Sequence, residues 1–228
     1  MFSANIAELN SGEERTIIAA RANFATRPSK ILFSMYASGP IEGFLSWYVR
    51  AKACPEIVDA SAMALATSDL QGRPSVRMVL LKHCDEQGFV FYTNLESPKA
   101  EDLRNNPQAS LCFHWAALRR QVRIHGKVLP VAASEADDYF MTRPRLSQLA
   151  AWASKQSRPM SNRFELEFAV TKTAARFAVG SVPRPEHWSG FRVVPDEIEF
   201  WEEGSFRRHE RWRYRWSEAH WEKEQLFP

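Results

Sequence analysis

Pro74-Ser75-Val76-Arg77-Met78-Val79-Leu80-Leu81-Lys82, followed after a short break by Gly88-Phe89-Val90-Phe91-Tyr92-Thr93-Asn94, is the stretch on which the fold turns. Both halves are rich in Val, Leu and Phe, which fit a pleated and half-buried surface, and Asp85-Glu86-Gln87-Gly88 between them has turn composition. The pair reads as a β-hairpin. Arg77 and Lys82 flank the first apolar run and Tyr92-Thr93-Asn94 closes the second. Cations and hydroxyls therefore stand at the rim of an apolar sheet, a placement suited to an anion.

Outward from this pair the strand signals repeat. Ala62 to Thr67 reads as a preceding strand, with a turn at Asp69-Leu70-Gln71-Gly72. On the other side, Ser97 as N-cap and Pro98 as first helical residue open a helix that Asn105-Asn106-Pro107 stops. Strands follow at Ala109 to Trp115 and Gln121 to Val131, the second bent near Gly126, and two or three helices occupy Ser134 to about Phe177. Val182-Pro183-Arg184-Pro185 is an extended connector, after which Phe191 to Val194, Glu197 to Trp201 and Trp212 to Trp216 return to strand character. Upstream, Phe44, Leu45, Trp47, Tyr48 and Val49 suit a helix over 41–53 that ends at Cys54-Pro55. Residues 1–40 show no sustained period beyond a short helix at Glu13 to Arg21, and the expectation is a mobile arm before one domain over 41–228. Short turns between strands, with helices gathered in the middle, imply a mainly β protein with α elements: a mostly antiparallel barrel rather than a doubly wound sheet.

Composition bounds the rest. The 228 residues are 45% apolar and 25% charged, ordinary for a soluble globular chain. The 30 Lys and Arg against 27 Asp and Glu leave +3, which argues against a nucleic-acid partner. Cys54, Cys84 and Cys112 form no CxxC pair and leave an odd thiol, as in a reducing cytoplasm. No signal-like start and no run of roughly 18 apolar residues is present, so no membrane association is expected.

Four groups of residues carry chemistry. Lys99 falls in the first turn of the helix that begins after Ser97, where free amides and the helix dipole favour an anion, although such a lysine on its own is most simply a solvated surface residue. Tyr139 and Arg143 at i and i+4 would share a helix face, and Ser147 is placed to cap the next helix beside them. Gln156 and Ser157, closing Ala151-Trp152-Ala153-Ser154-Lys155, bring hydrogen-bonding groups for a heterocycle or phosphate. In Arg207-Arg208-His209-Glu210-Arg211, strand alternation would send Arg207, His209 and Arg211 to one side, a row of cations that calls for an anion. Trp212-Arg213-Tyr214-Arg215-Trp216 is read as an amphipathic strand with solvated arginines, and Cys112 and His114 lack zinc spacing, so no metal is expected.

Laid end to end, these segments resemble the pyridoxamine (pyridoxine) 5'-phosphate oxidases, FMN enzymes that form pyridoxal 5'-phosphate. The blocks are RMVLLK at 77–82, GFVFYTN at 88–94, NNPQASLCFHW at 105–115, RRQVRIHG at 119–126, YFMTRPRLSQLAAWASKQS at 139–157 and VPRPEHWSGFRVVPDEIEFW at 182–201. The resemblance implies a split β-barrel of Greek-key type with peripheral helices, shared as a homodimer with the flavin between subunits. It implies FMN contacts from Arg77, Lys82, Tyr92, Thr93, Lys99, Gln121, Gln156, Ser157, Trp201 and Arg211. A substrate phosphate would meet Lys82, Tyr139, Arg143 and Ser147, with Arg207 and His209 against the pyridine ring as the catalytic pair. The implied reaction is hydride transfer from the carbon bearing the amine or alcohol to the flavin, followed by reoxidation with dioxygen to hydrogen peroxide.

The chain departs from the family pattern in places. Pro98 stands where the family has Arg between Ser97 and Lys99, removing one cation from the expected FMN phosphate site, Arg208 replaces an apolar residue, and Ala150 replaces a common Gly. The amino-terminal arm has no match for the Arg and Tyr that close over substrate in family members. Two other readings use the same residues: a flavin oxidase of another substrate, as in the phenazine-type relatives, and a non-catalytic flavin or pyridoxal-phosphate binding protein.

Overall fold

The computed structural model describes residues 39–228. The expected arm and the Glu13–Arg21 helix lie almost wholly outside the described residues. Helix α1 (Pro40–Ala53) carries Pro40 in its first turn and buries Phe44, Trp47 and Ala51 against the sheet, as the apolar spacing requires. The chain then runs through β1 (Ala62–Ser68), β2 (Pro74–Leu80), β3 (His83–Asp85), β4 (Gly88–Asn94), α2 (Pro98–Asn105), β5 (Gln108–Trp115), β6 (Arg120–Pro130), α3 (Ala133–Thr142), α4 (Arg145–Ala153), α5 (Glu165–Arg176), β7 (Trp188–Glu202), β8 (Glu210–Ser217) and β9 (His220–Leu226). All strand pairs are antiparallel within one nine-stranded sheet of order β2-β1-β5-β6-β7-β4-β3, with β8 and β9 attached beyond β7. The sheet curls into a split barrel with the helices outside it.

The hairpin expected between the two opening segments is not formed. β2 pairs with β1 through the Asp69–Gly72 turn, and β4 takes only the three-residue β3 as its hairpin partner, across the Asp85–Gly88 turn. The reason lies in two adjacent amides. Leu81 N–H bonds to Ser61 O and Lys82 N–H bonds to Val90 O, each at 2.9 Å, so the chain crosses there from one edge of the curled sheet to the other. Both segments are apolar because each lines the same barrel.

The bend at Gly126 is present as a register shift between His125 and Gly126 opposite Pro195. A Cβ at Gly126 would lie 2.1 Å from Val194 O, so only glycine permits that approach. Segments 191–194 and 197–201, read as two strands, are one 15-residue strand. One edge of β7 is held by β6; the other is divided, with Trp188–Val193 on β4 and Glu197–Glu202 on β8. The barrel interior is filled by Met63, Leu65, Phe89, Phe91, Leu111, Phe113, Ile124, Ile198 and Phe200, capped by Phe44 and Trp47 of α1. Phe44 packs edge-on to Phe89 at 4.9 Å, which fixes the helix over the barrel mouth.

Candidate active site

β4 ends by sending consecutive residues to opposite faces, and this pleat divides the expected site residues into two neighbouring clusters. Thr93 continues the interior row of Phe89 and Phe91; Tyr92 points out, beneath α3.

On the Thr93 side stands Lys99. It is not a solvated surface lysine: it is 9% exposed, and its ammonium donates to Thr93 Oγ1 (3.1 Å), Ser97 Oγ (3.0 Å) and Gln156 Oε1 (2.9 Å). Ser97 does not cap α2 through its side chain; its hydroxyl instead donates to Asn94 O at 2.7 Å and accepts from Lys99. Burial, and then the nearby Arg77, push the Lys99 pKa down. A buried ammonium ringed by three neutral oxygens is the arrangement an incoming anion would complete. Arg77 is bound by Leu65 O (3.0 Å), Thr67 Oγ1 (2.8 Å) and Ser75 Oγ (2.7 Å). Gln156 and Ser157 line an open cleft of about 290 Å³ below α4, and Ser157 has a left-handed backbone at φ 67°. Lys82 lies at the edge crossover with an exposed side chain.

On the Tyr92 side, three rings form a stack. Tyr92 lies 4.1 Å from Tyr139 and 5.2 Å from Trp188, with interplanar angles of 12° and 4°. Gly190 makes room for it, since a Cβ there would sit 2.7 Å from the Tyr92 ring. Arg143 is not on the helix face with Tyr139; it is the extended residue just past the end of α3, and its guanidinium lies 4.7 Å over Trp188. The two residues nonetheless converge through Trp188, which the sequence reading missed. Arg143 Nη1 is buried with no hydrogen-bond partner, and burial lowers the pKa of the group. Burial also pushes Tyr92 up to about 12, helped by Glu135 and Tyr139, so its hydroxyl stays protonated. Ser147 is inside α4 rather than at its cap, with its N–H on Pro144 O at 2.8 Å.

A third group lies at the far end of β7. Gln121, Trp201 and Arg211 are register neighbours across β6, β7 and β8, and the His209 ring sits 4.8 Å from Trp201. The expected same-side row of Arg207, His209 and Arg211 is not a strand. Ser205–Arg207 is a tight turn with positive φ at Phe206 and Arg207, which breaks the alternation, and Arg207 is exposed there. Arg211 donates to Glu199 Oε1 at 2.8 Å, and Arg123 grips the same carboxylate. Burial would raise Glu199, but these two arginines outweigh it and hold its pKa low. Arg213 and Arg215, read as solvated, are paired with Glu224 (2.7 Å) and Glu197 (3.0 Å), because the unforeseen strand β9 brings Glu224 alongside.

The end of β4 in this split barrel thus carries a buried lysine bonded to neutral oxygens on one face and a stack of three aromatic rings on the other. Residues 51–177 match the family model described as pyridoxamine 5'-phosphate oxidase, and residues 188–228 match the pyridoxine 5'-phosphate oxidase C-terminal dimerisation region. The chain belongs to the pyridoxamine 5'-phosphate oxidase family. It is 59% identical over 172 residues to a pyridoxine/pyridoxamine 5'-phosphate oxidase of Maricaulis maris, covering 75% of this chain and 77% of that protein. A protein of the same name from Mesorhizobium japonicum is 53% identical over 193 residues, covering 84% and 94%. Among solved structures, PhzG of Burkholderia lata, in complex with tetrahydrophenazine-1-carboxylic acid, superposes with a TM-score of 0.79 at 31% identity, covering 84% of this chain and 93% of that one. A pyridoxamine 5'-phosphate oxidase-related, FMN-binding protein of Nostoc punctiforme shares the fold at a TM-score of 0.67 and 17% identity, covering 84% and 100%.

Proposed function

We propose that this protein is an FMN-dependent oxidoreductase that oxidises pyridoxamine 5'-phosphate or pyridoxine 5'-phosphate with dioxygen to pyridoxal 5'-phosphate and hydrogen peroxide. The observation that carries the reading is the pair of separate cations flanking the end of β4, the buried Lys99 on one face and the half-buried Arg143, whose Nη1 is enclosed and unbonded, on the other. A flavin phosphate and a substrate phosphate need two such centres, and one anion would leave one of them uncompensated. The relatives named as oxidases of this substrate are 53–59% identical to the chain, against 31% for the phenazine enzyme, which supports the vitamin B6 ester over a phenazine.

The residues present fit FMN. Lys99, Thr93, Gln156 and Arg77 would hold its phosphate, while Gln121, Trp201 and Arg211 would serve its ring end. FMN when bound supplies the acceptor for the hydride and passes the electrons to dioxygen. The protein's own part is positional. Arg143 and Tyr139 anchor the substrate phosphate, with Ser147 and Lys82 beside them, and Arg207 and His209 hold the pyridine ring so that the donor carbon faces the flavin.

These roles require two copies of the chain. Trp188 starts β7 beside the phosphate pockets and Trp201 lies near its other end; a 15-residue strand at about 3.3 Å per residue runs for roughly 45 Å along its path. A homodimer brings one end of β7 to the opposite end in its partner. The outer face of the sheet supports this, since Val76, Met78 and Leu80 of β2 are 70%, 64% and 39% exposed in a row continuous with Ala64, Cys112 and the matched dimerisation strands. Purified protein reconstituted with FMN and supplied with pyridoxamine 5'-phosphate should consume oxygen and yield pyridoxal 5'-phosphate. A yellow protein that ignores this substrate would contradict the substrate, and a colourless one the cofactor.

A further inference from the structure

Beneath Arg77 lies a relay of two residues that no ligand role yet claims. Thr67, 4% exposed near the end of β1, donates its hydroxyl hydrogen to Asp102 Oδ2 at 2.6 Å and accepts from Arg77 Nη1 at 2.8 Å. The direction of both bonds is fixed by chemistry. A guanidinium has only donors and a carboxylate only acceptors, so the single hydroxyl hydrogen must go to Asp102 and a lone pair must face Arg77. Asp102 sits on α2 one turn after Lys99, and its Oδ2 lies 3.9 Å from Arg77 Nη2. With Leu65 O and Ser75 Oγ as the other acceptors, the bonds among the described residues leave Arg77 its Nε–H and one Nη2–H.

We propose that Thr67 and Asp102 are positioning residues that lock the Arg77 guanidinium to the helix carrying Lys99, so that the two cations face one phosphate as a preset pair. The proposal rests on the flavin reading above and gives it a mechanism for coping with Pro98. With one cation fewer in the first turn of α2, the remaining arginine cannot be left to swing. It also explains a carboxylate next to an anion site, which bare electrostatics would disfavour: Asp102 holds the Thr67 hydroxyl and, at 3.9 Å, pairs with the Arg77 guanidinium.

The test is a pair of titrations of the cofactor-free full chain, with FMN and with riboflavin, followed by flavin fluorescence. Riboflavin lacks the phosphate and is blind to the relay. Thr67→Val and Asp102→Ala should each weaken FMN by about tenfold, the scale of one hydrogen bond to a charged group, while riboflavin affinity stays within about twofold. Thr67→Ser, which keeps the hydroxyl, should bind FMN as the parent does. Two outcomes overturn the relay: FMN and riboflavin weakening in parallel, which marks a general structural role, or Asp102→Ala binding FMN more tightly, which marks simple charge repulsion. If the unsubstituted protein binds neither flavin, the flavin reading itself falls and the relay loses its ligand. Should Thr67→Val not fold, Asp102→Ala and Thr67→Ser still give opposite expectations.

Discussion

Two groups of cations near opposite ends of β7, Lys99 with Arg143 and Arg211 with Arg120 and Arg213, are held in different ways. At the Trp188 end, Arg184 and Arg192 are paired with Asp137 and with Asp85 and Glu135, but Lys99 is held by neutral oxygens alone and Arg143 Nη1 has no hydrogen-bond partner. At the Trp201 end, Arg211 is already matched by Glu199, Arg120 by Glu202 and Arg213 by Glu224. Buried unpaired charge is costly, whereas paired charge is close to neutral in free energy. On the proposed function, the Lys99 and Arg143 group would be where an anion gains most by binding, and the Arg211 group a prearranged wall that would orient what it captures.

The sharpest way to break this contrast is Lys99→Met, which fills the same space without charge. It should weaken FMN by about a hundredfold, since a charge-assisted contact to a buried ammonium is lost, and flavin retained on purification reports it. Arg143→Ala should leave the protein yellow and lower kcat/KM for pyridoxamine 5'-phosphate by about thirtyfold, mainly through KM. Arg207→Ala at the opposite end should reduce turnover by about tenfold with little change in FMN occupancy; equal loss of both would refute its placement against substrate. The smallest expected effect is a gain. Pro98→Arg restores a cation to the first turn of α2 and should tighten FMN by about threefold in low salt, fading as salt is raised.

Lys99 also sets a pH dependence. Its pKa is lowered by burial and by Arg77, so in the free protein the ammonium loses its proton at a lower pH than the usual lysine value of about 10.4. Binding of an anion should therefore weaken as pH rises through that lowered pKa, and a bound phosphate should pull it back up. The alkaline limb of FMN affinity, followed by fluorescence, should be absent in Lys99→Met.

The barrel was legible in the sequence because strands, turns and the Ser97–Pro98 helix start are local signals: Val and Phe runs, Asp-x-x-Gly turns and a proline at the first helical position. What the sequence concealed was pairing at a distance. β2 and β4 have equal strand character, and only the crossing amides of Leu81 and Lys82 decide that they lie on opposite edges. The site residues taken one at a time looked bland for the same reason. Lys99 acquires meaning from Gln156, 57 residues on, and Thr67 from Asp102, 35 residues on. Trp188 carried a signal that was passed over, an aromatic two residues before a glycine that Tyr92 needs. The row of cations at Arg207, His209 and Arg211 failed because strand alternation needs a strand from 207, whereas Ser205–Arg207 is a turn and β8 begins only at Glu210.

That one flavin site takes its phosphate end from one chain and its ring end from another is tested most directly by mixing two inactive variants. Lys99→Met and Arg211→Ala homodimers each damage both of their sites, but a mixed dimer holds one site with both substitutions and one with neither. After equimolar unfolding and refolding together, oxygen uptake with pyridoxamine 5'-phosphate should return to about a quarter of the unsubstituted level, the share expected when half of the dimers carry one intact site. Activity that stays at the level of the separate variants would place both ends of the site in a single chain and contradict the account.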